Sequence, residues 1–120
     1  MKSNFISLGA VCTALGVGLG AFGAHGLRGM IGEAQLGWWE TGTRYWLVGA
    51  LGICLFGVFQ GKRELSALPG WLLFVGSLLF AGSLYGMALG APRAFGAVTP
   101  LGGLGLIAGF VSFAWVARRG

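Results

Sequence analysis

Four runs without one charged side chain, at residues 5–24, 45–61, 65–92 and 94–117, decide what this chain can fold into. A helix needs roughly 17–25 apolar residues to cross the hydrocarbon of a bilayer, and every run reaches that length. No water is available there to satisfy N–H and C=O groups, so each crossing must bond within itself as a helix. Composition closes off the alternative of a soluble domain. Only 9% of the residues are charged, against about 25% in an ordinary soluble domain, and a fold of this size has too much surface to cover with so few charges. Pro69 suits the first turn of a helix, and Pro100 lies near the start of the last one. The expectation is one all-α domain, an integral-membrane four-helix bundle with helices near 5–24, 45–61, 70–91 and 97–117.

Lys2, Lys62, Arg63, Arg118 and Arg119 fall on one side of such a bundle, and Arg28, Arg44 and Arg93 on the other. The size and clustering of the first set place both termini in the cytoplasm by the positive-inside rule. The net charge of +5 is scattered over loops and chain ends. It therefore makes no nucleic-acid footprint, and membrane lipids are the expected partner. Trp38, Trp39 and Trp46 are expected near one interface, Trp71 and Trp115 near the other. The first run reads as a retained helix rather than a cleaved leader. Phe22 would stand third before a cut after Ala24, where a small side chain is needed. Cys12 and Cys54 lie inside apolar runs, where thiols behave as small hydrophobes, and no disulfide is expected.

Residues 28–44 form the one long connection, mixing apolar, aromatic and charged side chains with glycines. Two readings stay open. One is a short amphipathic helix lying in the interface between the first and second helices, with Glu40 and Arg44 paired four residues apart. The other is an irregular loop with its tryptophans among the headgroups. Glycine supplies 25 residues. Gly16, Gly20 and Ala24 repeat at four-residue spacing in the first helix, Gly82, Gly86 and Gly90 in the third, and Gly105 with Gly109 in the fourth. Small residues at that spacing let backbones approach where lipid offers no hydrophobic drive. Such stripes serve packing within one bundle or contact with a second copy.

Five motifs follow one another from the first helix to the fourth. They are Gly20-Ala21-Phe22-Gly23-Ala24-His25-Gly26-Leu27, Gly37-Trp38, Thr41-Gly42 followed by Tyr45, Leu79-Phe80-Ala81-Gly82-Ser83-Leu84-Tyr85, and Thr99-Pro100-Leu101-Gly102-Gly103. In that order they resemble the signature of a family of small bacterial inner-membrane proteins, domain of unknown function 423 or uncharacterised protein family 0382. The resemblance implies a four-helix protein of the bacterial cytoplasmic (inner) membrane with no established activity. Such proteins usually carry a second histidine in the second helix, at the position of Gly49. This chain reads Tyr45-Trp46-Leu47-Val48-Gly49 instead, so ligation of a metal or haem by a histidine pair within one subunit is not implied for it.

The expected topology gathers His25, Arg28, Glu40, Arg44, Tyr45, Ser83, Tyr85 and Thr99 in the outer half of the bundle as a candidate polar cluster. Ser83 and Tyr85 lie about 9–12 Å below the outer end of the third helix at about 1.5 Å per residue. Polar residues in a membrane are costly and mark functional sites, yet hydroxyls also hold helices together. His25 suits a C-terminal cap followed by Gly26 as the left-handed turn residue, or else a ligand or proton carrier in an outer cavity. Tyr85 suits an interhelical hydrogen bond. The three arginines suit headgroups, or else a shared anion site. Enzyme chemistry has little footing: there is no Asp, one histidine cannot build a zinc site with two cysteines deep in lipid, and no glycine-rich phosphate loop follows a strand. No metal or cofactor is expected. The expected role is non-enzymatic packing or assembly, as a homo-oligomer or an accessory subunit of a larger membrane complex. The alternative is a small-solute or lipid pathway lined by the outer cluster, and haem held between subunits by His25 is a more distant reading.

Overall fold

The computed structural model describes residues 4–119, so Lys2 of the charge balance lies outside the described residues. The chain forms four helices: α1 (Phe5–His25), α2 (Glu33–Gln60), α3 (Leu68–Ala88) and α4 (Val98–Arg119). A 3-10 segment (Arg93–Ala97) leads into α4, and no strand occurs among the described residues. All four helices are long and apolar enough to cross a membrane. The 21 residues of α1 rise about 31 Å, matching a hydrocarbon core about 30 Å thick.

Local chemistry sets the helix ends. Asn4 caps α1, its side chain accepting from the Ser7 amide at 3.1 Å, which satisfies one of the orphan donors of the first turn. Ser66 Oγ accepts from the Leu68 amide at 3.2 Å, and Pro69 occupies the first turn of α3, where its missing N–H costs nothing. At the other end of α3, Gly90 takes the left-handed position with φ +108°. The Ala91 amide bonds to Gly86 O at 2.8 Å and the Gly90 amide to Met87 O at 3.1 Å, the paired bonds of a Schellman motif.

Two ends differ from the sequence reading. Residues 28–44 are not a separate interfacial element: α2 begins at Glu33 and runs unbroken to Gln60. Glu40 and Arg44 interrupt the hydropathy but not the backbone ladder, and no ion pair joins them among the described residues. Nor is Gly26 left-handed; it stays right-handed at φ −78°, and the positive φ belongs to Gly29 at +85°. The amides of Gly26 and Leu27 both bond to Phe22 O, which winds the chain on far enough to bury Leu27 against Trp39 and Ala88. A Cβ on Gly26 would meet the Phe22 ring at 2.7 Å. Space, not backbone handedness, calls for glycine there.

The helices pack in chain order, with α2 and α3 at the centre, α1 against α2, and α4 against α3. Three groups of buried side chains run along this bundle. Phe5, Ile53, Phe56, Leu73 and Leu106 fill one end, Cys12, Trp46, Ala50 and Ala81 the middle, and Leu27, Trp39 and Ala88 the His25 end. Glycines set how closely the helices approach. A Cβ on Gly9 would lie 2.5 Å from Cys54 N, and one on Gly57 2.6 Å from Ile6 N. Between α3 and α4, a Cβ on Gly76 would lie 2.6 Å from Leu106 N, and one on Gly102 would run into Phe80 N. Backbone touches backbone at both seams.

The glycines expected to pack divide into three sets. Gly16 faces Trp46 and Leu47, Gly105 faces Gly76, Gly109 faces Leu73, and Gly20 approaches Thr43 at 3.3 Å. Gly86 meets the Phe95 ring of the 3-10 segment at 3.1 Å. The remaining two belong to no contact within the bundle. Gly82 has nothing within 4 Å, because α3 uses its other faces for α2 and α4. Gly90 falls beyond the end of α3 and serves its turn.

Candidate functional site

Four hydroxyl side chains meet across the helices, in pairs rather than as one cluster. Thr43 Oγ1 of α2 and the Tyr85 hydroxyl of α3 are 2.5 Å apart. Ser83 Oγ of α3 and Thr99 Oγ1 of α4 are also 2.5 Å apart, and Ser83 donates to Phe80 O at 3.0 Å. Each pair ties two consecutive helices where an unsatisfied hydroxyl would have no water to turn to.

Two tryptophans complete the series at the remaining seam. The Trp39 indole N–H donates to Leu19 O at 2.8 Å, and that of Trp46 donates to Cys12 O at 2.7 Å. Both rings are buried. They are therefore locks between α1 and α2, not the interfacial anchors expected of them. The sequence makes room by placing glycine opposite each ring: a Cβ on Gly23 would stand 2.5 Å from Trp39 Cδ1, and one on Gly16 2.7 Å from Trp46 Cδ1. The Trp39 ring also stacks on Tyr85 with centroids 4.1 Å apart, so the α1–α2 lock and the α2–α3 pair share one aromatic layer. Thr43, Trp39 and Trp46 were absent from the expected cluster. Their spacing of four and three residues along α2 is the signal that puts them on one face.

The other members stand apart from these pairs. His25 is exposed at the last turn of α1. Arg28, not His25, reaches back to the helix end, its Nε donating to Ala24 O at 3.2 Å. Glu40 and Arg44 are exposed on α2. Tyr45 is 41% exposed and sets its ring edge-on to Phe80 at 5.0 Å. Both cysteines are free thiols.

Two lateral clefts open beside Gly82. One of about 190 Å³ lies between α1 and α3, over Trp46, Ala81 and Tyr85. The other, about 220 Å³, is lined by Leu78, Leu79, Ser83, Phe95 and Val98. Their walls are almost wholly apolar. Among the described residues no three His, Cys, Asp or Glu side chains gather as a metal would require. What the arrangement does chemically is fasten helices: two indole–carbonyl bonds join α1 to α2, and one hydroxyl–hydroxyl bond joins each of the next two pairs.

Tyr85→Phe and Thr43→Val are each expected to lower stability by about 1 kcal/mol, with little further loss in the double variant. Thermal unfolding in mild detergent reads this. Full additivity would show that the two hydroxyls do not depend on each other.

A family model described as a protein of unknown function (DUF423) matches residues 19–103. The chain is 46% identical over 108 residues to a UPF0382 membrane protein of Staphylococcus haemolyticus, covering 89% of this chain and 88% of the other. It is 44% identical over 112 residues to the UPF0382 membrane protein YwdK of Bacillus subtilis, covering 89% of each. No solved structure matches it.

Proposed function

Since the chain belongs to the DUF423 family, whose relatives are named only as membrane proteins, we propose that it is a non-enzymatic packing or assembly subunit of the bacterial cytoplasmic membrane, with both termini in the cytoplasm. One observation carries this reading. Trp39 and Trp46 bond to α1, Thr43 to Tyr85, and Ser83 to Thr99, so these indoles and hydroxyls are spent on bonds between helices. A solute pathway would instead need polar groups facing a continuous cavity, whereas the walls of the clefts beside Gly82 are almost wholly apolar and the hydroxyls of Ser83 and Tyr85 that border them are paired with Thr99 and Thr43.

Gly82 offers the test. Nothing in its own subunit lies within 4 Å of a Cβ built there, so a larger side chain has the lateral clefts to enter and bears chiefly on whatever packs against that face. In native mass measurements on gently extracted membranes, the protein is expected as a defined homo-oligomer or with a co-purifying membrane protein. Gly82→Leu is expected to shift that mass while leaving the melting temperature of the isolated subunit within a few degrees. A lone subunit, with no self or partner captured by cross-linking in intact membranes, overturns the reading.

A further inference from the structure

The outward face of α2 carries Glu40, Arg44, Val48, Leu51, Leu55 and Val58, all exposed. From Arg44 onward they follow one another at intervals of four and three residues, a straight seam along the helix. Counted back from Gln60, the last residue of α2, a hydrocarbon core about 30 Å thick ends near Glu40, which leaves Arg44 about 6 Å inside it. Arg28 and Arg63 donate to carbonyls of their own helix ends. Arg44 has no hydrogen bond, ion pair or ring contact among the described residues, and the Tyr45 hydroxyl beside it has no hydrogen-bond partner among them either. At this depth such donors must be met from the membrane.

Charge decides what meets them. A second copy, in the same membrane orientation and docked through this seam about a two-fold axis, would set Arg44 against Arg44, which repels. A phospholipid presents opposite charges in the right order. Its phosphate lies next to the glycerol, and the headgroup amine lies further out. Here the cation, Arg44, is the deeper group, and the anion, Glu40, stands one helical turn further out on the same face. The Cα–Cβ bond of a helical residue tilts toward the helix N-terminus. That tilt carries the guanidinium outward to phosphate level, while the acyl chains lie along Val48, Leu51 and Leu55.

We propose that Arg44, Tyr45 and Glu40 form a headgroup site for a phospholipid bearing a primary amine, of the phosphatidylethanolamine type, in the leaflet at the His25 end. Arg44 and Tyr45 donate to the phosphate, and Glu40 accepts from the ammonium. Choline lipids lack N–H donors for Glu40, and phosphatidylglycerol lacks the cation.

The test is lipid competition on the whole protein. It is reconstituted in nanodiscs of phosphatidylcholine with equal small fractions of phosphatidylethanolamine and phosphatidylglycerol, and retained lipid is read by native mass spectrometry. Phosphatidylethanolamine is expected to be enriched about threefold to tenfold, the range of one partly screened charge pair. Glu40→Gln is expected to erase its advantage over phosphatidylglycerol while retaining phosphate-bearing lipid. Arg44→Ala is expected to lose retention of both, whereas Arg93→Ala, at the same end but off this face, leaves it unchanged. Equal retention of the three lipids overturns the site. So does a preference for phosphatidylglycerol, or a phosphatidylethanolamine preference that Glu40→Gln leaves intact. A melting temperature recorded for each variant separates loss of the site from loss of the fold, and the oligomeric mass is read in the same spectra.

Discussion

Gly76→Leu is expected to drive α3 and α4 apart and to lower stability by roughly 3 kcal/mol or more, at or beyond the upper end of overpacking penalties. The reason lies in what a side chain would strike. A Cβ on Gly76 would meet Leu106 N at 2.6 Å, Gly105 C at 2.7 Å and Gly102 O at 2.9 Å, all backbone atoms that no rotamer change can move aside. Relief requires the helices to separate, which also breaks the Ser83–Thr99 pair one turn or more away. Unfolding followed by circular dichroism in mild detergent measures the loss, with Gly82→Leu on the open face of the same helix as the control. If the Gly76→Leu protein melts together with its parent, the α3–α4 seam is not the tight contact described.

Gly49→His is expected to cost about 2–3 kcal/mol, and Ser77→Gly in the same chain to return a good part of it. Ser77 Oγ is buried with no hydrogen-bond partner and sits where a Cβ of Gly49 would be; that Cβ would also meet Leu106 Cδ2 at 3.0 Å. The space between α2 and α3 at this level is thus filled from the α3 side. This chain's glycine and Ser77 thus form one arrangement, and a histidine at position 49 requires another. The four-protein cycle, melted under one condition, gives the coupling between positions 49 and 77. A cycle that closes with no coupling shows that the two side chains do not compete for the same volume.

The four spans were legible because a bilayer turns hydropathy and length into structure almost directly. The start of α2 was not, because a change of hydropathy marks where a helix leaves the hydrocarbon and not where its hydrogen-bond ladder stops. Glu40 and Arg44 interrupt the hydropathy and leave the ladder intact. Tyr85, Ser83 and Thr99 were placed toward the His25 end by counting residues from helix ends. Their partners were not, since Thr43 becomes the mate of Tyr85 only once the rotation of α2 is known. The tryptophans misled for a physical reason: an indole with an apolar body and one N–H suits the membrane interface, and equally suits a buried slot with a carbonyl at its end. Glycine spacing had the same defect. With so many glycines, several faces of one helix read as flat, and spacing alone cannot tell the face that meets backbone, as at Gly76, from the one that meets nothing, as at Gly82.

Because each helix packs chiefly on the next one in the chain, assembly can keep pace with synthesis. Once α2 has entered the membrane, the indoles of Trp39 and Trp46 already have the carbonyls of Leu19 and Cys12 to bond. Nothing in that hairpin waits for α4. α3 then adds Tyr85 to Thr43, and α4 adds Thr99 to Ser83. The contacts that close the fold join helices consecutive in the chain, so each becomes available as its second helix is made. A small membrane protein can in this way become a finished unit in the order in which it leaves the ribosome.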